Sequence, residues 1–211
     1  KGSIVSQFFQ IHPENPQARL VKQAAEIIQK GGLAVLPTDC AYVLVCPVGD
    51  KSAMERMRAL RQLDEKHNYT LLCRDLSELS NYAKVDNATY RQLKHHTPGA
   101  FTFILNATKE VPRRLIQPKK KTIGMRVPDN AIMLAILEEV GGPLMSTSLI
   151  MPGDDLPLSD PYDIRQTLEH SLDLVIDGGY CGLEATTVID LTDDEVVLLR
   201  QGVGDASAFL E

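Results

Sequence analysis

No apolar run in this sequence approaches the roughly 20 residues that a membrane-spanning helix needs. Residues 1–6 also lack the long apolar stretch of a secretory signal. We therefore expect a cytoplasmic protein with no membrane segment. The chain has 211 residues, of which 44% are apolar, and this is enough for one substantial hydrophobic core.

Signatures of metal binding and disulfide bonding are missing as well. The cysteines (Cys40, Cys46, Cys73 and Cys181) include no Cys-x-x-Cys pair, and the histidines show no spacing of the His-Glu-x-x-His kind. The simplest interpretation is that the cysteines are small buried hydrophobic residues in a reducing compartment. We predict no metal site in the chain.

The common phosphate-binding and nucleophile motifs are also absent. There is no Gly-x-x-x-x-Gly-Lys-Ser/Thr loop, no Gly-x-Gly-x-x-Gly turn and no Gly-x-Ser-x-Gly elbow. Any phosphate must then be held by hydroxyl groups and arginines, which donate hydrogen bonds to phosphate oxygens. The candidate arginines are Arg61, Arg126 and Arg200. Arg126 and Arg200 lie in or beside apolar runs, so each needs either an acidic partner or an anionic ligand.

Three clusters of hydroxyl residues adjoin apolar, strand-like runs. Residues 33–36 lead into Pro37-Thr38-Asp39, residues 143–145 lead into Ser146-Thr147-Ser148, and Thr186-Thr187 opens a run that ends at Asp190. Buried strands need no hydroxyls to pack, and every buried hydroxyl needs a hydrogen-bond partner. Because α/β proteins usually hold ligands at strand ends, we expect the three clusters to line one polar pocket.

Charge is unevenly distributed along the chain. The net charge is −6, which argues against nonspecific nucleic-acid binding by the whole surface. Residues 111–128 nevertheless contain six basic residues and no acidic one, which leaves a charge of −12 elsewhere. Arg126 is one of the six, and the other five, here called the basic segment, are Arg113, Arg114, Lys119, Lys120 and Lys121. The basic segment predicts either a binding site for a polyanion or a solvated loop whose lysines protect a strand edge.

Strand-like and helix-like segments alternate along the chain, and this pattern predicts one domain of mixed α/β type. Strands are expected at residues 8–11, 33–36, 42–46, 70–73, 101–105, 123–127, 174–177, 187–190 and 196–199. Helices are expected to begin at Asn15-Pro16, Asp50, Asp75, Asp86, Asp129 and Ser159-Asp160-Pro161, since these residue types cap helices. We divide the chain into an N-terminal segment, residues 1–12, and a single domain, residues 13–211.

Taken together, six motifs in this chain resemble those of the YrdC-like family, which includes threonylcarbamoyl-AMP synthases. The motifs lie at residues 31–39, 97–102, 123–129, 143–148, 186–190 and 199–202, in the order that the family has them. Residues 73–79 and 111–115 add a specific likeness to the YciO branch of that family.

This resemblance implies a twisted mixed sheet with flanking helices and a concave, positively charged cleft. It also implies a nucleotidyl transfer in which L-threonine, bicarbonate and ATP, with Mg²⁺, give threonylcarbamoyl-AMP and pyrophosphate. That product supplies the threonylcarbamoyl group of a modified tRNA adenosine. The implied partners are therefore tRNA or double-stranded RNA, and proteins of tRNA modification.

The resemblance assigns substrate contacts to four residues. Thr38 corresponds to a hydroxyl that contacts threonine, and His67 to a histidine that helps hold the amino acid. Arg126 would face the anionic groups of the substrate. Thr186 stands where the family commonly has serine and keeps the hydroxyl group.

The resemblance also assigns contacts to the nucleotide and the phosphates, which are Thr102, Ser146, Ser148 and Arg200. Adenylylation requires that two anions be positioned and that phosphoryl charge be stabilised. Arg61, Arg126 and Ser148 are the candidates for assisting that transfer.

Two departures from the synthase pattern affect this assignment. The synthases carry Lys-x-Arg where this chain has Arg61-Gln62-Leu63, and Ser-x-Asn where it has Ser148-Leu149-Ile150. One cation and one amide are therefore absent, and each could stabilise a transition state by a few kcal/mol. Three hypotheses stay open, namely an active synthase, a divergent paralogue that hydrolyses or processes a related adenylate, and an RNA-binding module without catalysis.

Overall fold

A single ten-stranded mixed sheet organises the computed structural model, which describes residues 5–210. The strand order is β1-β8-β2-β3-β7-β4-β6-β5-β9-β10. The strands are β1 (Gln7–Gln10), β2 (Ala34–Leu36), β3 (Val43–Pro47), β4 (Thr70–Leu72), β5 (Phe101–Asn106), β6 (Thr122–Arg126), β7 (Leu144–Ser148), β8 (Leu174–Asp177), β9 (Thr187–Asp190) and β10 (Val197–Arg200). The prediction of one α/β domain is confirmed. The described part of the N-terminal segment contributes the edge strand β1, and residues 1–4 of that segment lie outside the description.

In the described part of the chain, six α-helices flank the sheet, and four of them begin at the predicted aspartates. The helices are α1 (Ala18–Gln29), α2 (Lys51–Arg61), α3 (Leu76–Tyr82), α4 (Asn87–His96), α5 (Ala131–Val140) and α6 (Pro161–Leu168), with short 3₁₀ turns at Arg113–Leu115 and Ser207–Phe209. The side chains of Asp50, Asp75, Asp86 and Asp160 each accept a hydrogen bond from a backbone N–H in the first turn. These carboxylates satisfy N–H groups that a helix terminus leaves unpaired.

The predicted starts of α1 and α5 are wrong. The helix α1 begins at Ala18, because the ring Nδ1 of His12 accepts the N–H groups of Glu14 and Asn15 and folds that segment into a separate turn. In α5 the capping side chain is Asn130, which accepts the N–H of Met133 at 3.0 Å. The N–H of the neighbouring Asp129 instead donates to Asp39.

The two faces of the sheet are covered unequally. One face carries the larger core, where buried residues of α2, α3, α4 and α6 pack against strands from β2 to β9. The opposite face carries a smaller core, where α1 and α5 pack against β2, β3, β4, β7 and β8. Within residues 5–210, no residue of β5, β6, β9 or β10 belongs to that smaller core. About half of the second face therefore has no helix over it, and we call this half the open face.

Strand alternation explains why polar residues lie on the open face. In β6, Ile123 and Met125 belong to the larger core, so Gly124 and Arg126 face the other way. In β5, Phe101 and Phe103 are likewise core residues, and Thr102 between them faces the open side. The hydroxyls that the sequence places in these strands thus mark the face that no helix covers.

The smaller core holds α5 in place, and its loss should be measurable as lost stability. Leu137 of α5 is fully buried, so Leu137→Ala should lower the free energy of unfolding by about 2–5 kcal/mol. The exposed Glu139 on the same helix provides a control, because Glu139→Ala should change it by less than about 0.5 kcal/mol. Urea unfolding measures both variants, and equal effects would contradict the assigned packing.

Candidate functional site

A cleft of about 310 Å³ lies on the open face, where the ends of several strands meet. Segments from four parts of the chain form it, namely residues 40–43, 67–70, 146–157 and 183–186, together with side chains from β5, β6 and β10. Among the predicted site residues, those that line the cleft are His67, Thr102, Arg126, Ser146, Ser148, Thr186 and Arg200. The second cluster and Thr186 of the third therefore line one pocket, whereas Thr38 of the first cluster and Thr187 do not, so the prediction of a pocket lined by all three clusters holds only in part.

Arg126, at the end of β6, is the most buried cation of the cleft, with 5% of its surface exposed. Its Nη2 donates to Oδ1 of Asp39 in a close ion pair, and Oδ2 of Asp39 accepts the N–H of Asp129 at 3.0 Å. The Nε of Arg126 has no hydrogen-bond partner, although it is buried. A buried N–H without a partner is costly, so this atom marks a position where a ligand oxygen would be bound.

A hydrogen-bonded chain of three side chains forms a second part of the cleft. Arg200 donates from Nε to the backbone oxygen of Thr186 at 3.0 Å and from Nη2 to its hydroxyl at 3.1 Å. The hydroxyls of Thr186 and Thr102 are 2.7 Å apart. Only one of these two hydroxyls donates to the other, so the second proton remains free to donate to a ligand.

Arg200 supplies the charge of this hydrogen-bonded chain. Burial lowers the pKa of Arg200, and the nearby charge of Arg126 acts in the same direction. An arginine remains protonated at neutral pH despite such a shift. Within the described residues Arg200 forms no ion pair with a carboxylate, so its charge is available to an anion.

His67 and Thr147 also line the cleft. The Nε2 of His67 lies 3.2 Å from the hydroxyl of Thr147, and its ring contacts Tyr69 edge to face. Burial lowers the pKa of His67, and the charge of Arg61 lowers it further. The imidazole is therefore neutral at pH 7 and offers one donor and one acceptor.

Arg61 lies at the end of α2, beside the cleft and not among its lining residues. Its Nε donates to the backbone oxygen of Ser148 at 2.8 Å, and its Nη2 donates to the hydroxyl of the same residue at 3.2 Å. Arg61 therefore holds the end of β7 through two of its five N–H donors. Leu63, which stands in place of the second family cation, packs against the larger core.

Of the four predicted substrate contacts, Thr38 is the one that is not among the residues lining the cleft. Its hydroxyl donates to the carbonyl of Ala41 at 2.6 Å and accepts the N–H groups of Cys40 and Ala41 at 3.0 and 3.1 Å. A hydroxyl has one proton and two lone pairs, so this group is fully used within its own turn. Thr38 does not line the cleft; its neighbours Cys40 and Ala41 do.

One side of the cleft is apolar. Ile150, which replaces the family asparagine, lines it together with Leu156 and Leu183. Leu156 is 61% exposed and Leu183 is 38% exposed, so this side lies at the mouth. Two carboxylates, Asp155 and Glu184, line the same cleft as Arg126 and Arg200. That the cleft as a whole is positively charged stays a prediction.

Two residues of the site were not among the predicted site residues. Asp39, which pairs with Arg126 without itself lining the cleft, could have been found from its place directly after Pro37-Thr38 at a strand end and from the need of Arg126 for an acidic partner. Thr70 joins the cleft because β4 pairs with β6 and β7, which sets it beside Gly124 and Ser146. Only the strand order gives that placement.

The thiol nearest the cleft is unreactive. Burial raises the pKa of Cys40 to about 11, so it is protonated at neutral pH and is a poor nucleophile. Cys46 and Cys73 are fully buried, as the sequence led us to expect.

A second cavity, of about 180 Å³, adjoins the cleft along the open face. Asn68 lines both cavities, and Lys120 and Gln117 line the second one. Gly124 lies in its floor, where a Cβ atom would come within 2.9 Å of the hydroxyl of Thr70. The basic segment is exposed next to this cavity, at residues 113–121.

Comparison with known proteins places this geometry in a family. The family model described as Telomere recombination (Sua5/YciO/YrdC) matches residues 26–202. The uncharacterized protein YciO of Escherichia coli (strain K12) is 59% identical over 98% of this chain and 100% of its own length. The crystal structure of E. coli YciO superposes with a TM-score of 0.92 and covers 97% of this chain and 99% of that one.

More distant relatives carry a named activity or ligand. A threonylcarbamoyl-AMP synthase of Halorhodospira halophila is 26% identical over 80% of this chain and 88% of its own. A crystal structure of P. abyssi Sua5 complexed with L-threonine is 26% identical, with a TM-score of 0.84 over 93% of this chain and 58% of that one. The chain, with its half-covered sheet and the arginine-lined cleft on its open face, belongs to the Sua5/YciO/YrdC family.

Proposed function

We propose that the cleft binds an adenine nucleotide and an amino acid and that the protein is a threonylcarbamoyl-AMP synthase or a close variant of one. The observation that carries this proposal is the hydrogen-bonded chain Arg200–Thr186–Thr102, with its unpaired cation and its free hydroxyl proton. Arg126, whose buried Nε has no hydrogen-bond partner, lines the same cleft. These donors suit the oxygens of a phosphoryl group and of a carboxylate. The L-threonine complex of the P. abyssi relative supports the amino-acid half of the proposal.

The chemistry requires two successive bond-forming steps. The threonine nitrogen attacks the carbon of bicarbonate, and water leaves, which gives a carbamate. A carbamate oxygen then attacks the α-phosphorus of ATP, and the bond to the β-phosphate oxygen breaks as pyrophosphate departs. Arg200 and the free hydroxyl of the Thr102–Thr186 pair would stabilise the charge on the phosphoryl oxygens, and Arg126 would hold an anionic oxygen of the substrate.

Magnesium would enter this site with the nucleotide. Within residues 5–210, no three histidine, cysteine or acidic side chains lie close enough together to hold a metal ion. Mg²⁺ usually binds nucleotide phosphates with one or two protein carboxylates and several waters. Asp155 and Glu184, which line the cleft, are the carboxylates that fit that role.

A second candidate function is hydrolysis or processing of a related adenylate. It is favoured by the two apolar replacements, because Leu63 is packed against the core and Ile150 lines the cleft without a hydrogen-bonding group. Synthesis needs stabilisation of the departing pyrophosphate, whereas hydrolysis of a finished adenylate needs none. The donors on Arg126, Arg200 and Thr102 would serve either reaction.

The deciding assay supplies L-threonine, bicarbonate, ATP and Mg²⁺ and follows pyrophosphate and the adenylate by mass spectrometry. We expect threonine-dependent release of pyrophosphate with formation of threonylcarbamoyl-AMP. If none forms over a wide range of enzyme concentration, the synthase assignment is wrong. Loss of supplied threonylcarbamoyl-AMP would then identify the hydrolytic alternative.

Arg200 should dominate the binding of the nucleotide phosphate. Arg200→Gln keeps a hydrogen-bonding group and removes the charge, so we expect kcat/KM to fall by about 10²–10³-fold. Arg58→Gln is the matched control, because Arg58 is exposed and pairs only with Glu55 on its own helix. Steady-state kinetics compares the two variants, and similar losses in both would contradict the role of Arg200.

We propose further that RNA approaches along the open face over the second cavity, and that the protein works with tRNA and with proteins of tRNA modification in the cytoplasm. The basic segment is exposed there, and Lys120 lines a cavity that shares Asn68 with the cleft. A cluster of cations on an acidic protein gives a local polyanion site.

Charge reversal tests the RNA proposal directly. Changing Lys119, Lys120 and Lys121 to Glu should weaken RNA binding and lower the slope of log Kd against log salt by up to about one for each lost phosphate contact. Reversal of the exposed Lys22, Lys30 and Lys51, which lie elsewhere, is the matched control. Filter binding across a salt series measures both, and the role fails if the two triple variants behave alike.

A further inference from the structure

Residues 38–41, the turn after β2, contact three other segments of the chain beside the cleft. Asp39 accepts from Arg126 and from the backbone of Asp129, and Asn130 reaches the carbonyl of Thr38 at 3.4 Å. On the other side, a Cβ atom at Gly182 would come within 2.5 Å of the carbonyl of Cys40, so the backbones touch there. Asp39 is thus the carboxylate through which the turn after β2 contacts both β6 and the start of α5.

We infer that Asp39 is a positioning residue for the reaction of the cleft: it fixes the guanidinium of Arg126 so that Nε–H is presented, unpaired, to an anionic oxygen of the substrate. This inference rests on the proposed function. One carboxylate oxygen binds Nη2 of Arg126 and the other is held by the N–H of Asp129, so the carboxylate cannot rotate away. The guanidinium is planar and rigid, so fixing Nη2 also fixes the direction of Nε.

The ion pair also changes what Arg126 contributes electrostatically. With Asp39 beside it, Arg126 adds little net charge to the cleft, whereas Arg200 has no carboxylate partner among the described side chains. The two arginines therefore divide the work. Arg200 attracts negative charge, and Arg126 sets the orientation of the bound anion through one directed hydrogen bond.

A purely structural ion pair would also explain the contact between Asp39 and Arg126, and the two roles make different predictions. If the pair only stabilises the fold, Nε of Arg126 should have a protein partner or be exposed, and it has neither. Positioning further predicts that activity depends on the carboxylate itself, even when the hydrogen bond to Asp129 is retained. Asparagine at position 39 separates these effects, since its amide oxygen still accepts the N–H of Asp129 but its charge is gone.

Two variants of Asp39 test the inference. Asp39→Asn should lower kcat/KM by about 10- to 100-fold, because Arg126 is left without its fixed orientation, and the folded far-ultraviolet circular dichroism should be kept. Asp39→Ala leaves a space the size of a carboxylate, so added formate should restore part of the activity. Formate should restore none in Asp39→Asn, where the space is filled.

The control is Asp86→Asn, which removes a carboxylate that accepts one backbone N–H at 2.7 Å at the start of α4, away from the cleft. It should leave kcat/KM unchanged. Formate rescue of Asp39→Ala, absent from wild type and from Asp86→Asn, supports positioning, because restored folding alone would appear in circular dichroism as well. The inference is overturned if Asp39→Asn keeps wild-type kcat/KM, or if formate fails to restore a folded Asp39→Ala variant.

Isothermal titration with AMP separates this inference from the proposed function. If the wild type binds AMP and the Asp39 variants lose turnover while keeping most of that affinity, the division of work between Arg126 and Arg200 is supported. If the wild type neither binds AMP nor forms or hydrolyses an adenylate, the proposed function itself is wrong and the inference falls with it.

Discussion

The cleft depends on the fact that helices cover only about half of one face of the sheet. The sheet is ten strands wide, and of the helices in residues 5–210 only α1 and α5 pack on its second face, over β2, β3, β4, β7 and β8. A strand that is buried on one face only alternates apolar and polar residues, so β5 and β6 place Thr102, Gly124 and Arg126 on the uncovered side. The cleft is therefore a direct result of how far the helical layer extends.

The charge of Arg126 lies at the boundary of the helical layer formed by α1 and α5, and a buried charge needs a partner of opposite sign. Arg126 ends β6 where it meets the turn after β2, and Asp39 from that turn neutralises it. An arginine that is buried with one partner still has N–H groups without an acceptor, and each such buried donor costs about 1–3 kcal/mol of stability. The Nε of Arg126 therefore either lowers the stability of the fold or forms a hydrogen bond when a ligand is bound. Because Arg126 lines the cleft, we favour the hydrogen bond to a ligand.

Much of the fold could be predicted from the sequence, since apolar runs and aspartate caps mark most strands and helices. The caps at Asp50 and Asp86 are local, because each bonds three residues ahead in the chain. Strand order is not local. The sequence could not show that Thr70 stands beside Gly124, nor that the hydroxyl of Thr38 is used up within its own turn, because both depend on backbone geometry that residue types do not encode.

The two departures from the synthase pattern act at different places, and this decides how they bear on the chemistry. Leu63 packs against the larger core and has no hydrogen-bonding group, while Arg61 uses Nε and Nη2 on Ser148. With leucine at the second position, the pair offers a departing pyrophosphate one positive charge, that of Arg61, where Lys-x-Arg offers two. If the proposed synthesis takes place in this cleft, Mg²⁺ bound with the nucleotide would supply part of the missing charge, and the donors on Arg200, Thr102 and Arg126 would hold the adenylate end. Such a site would keep its affinity for an adenylate even where synthesis is slow, because binding would depend on the arginines and the rate on how the leaving group is stabilised.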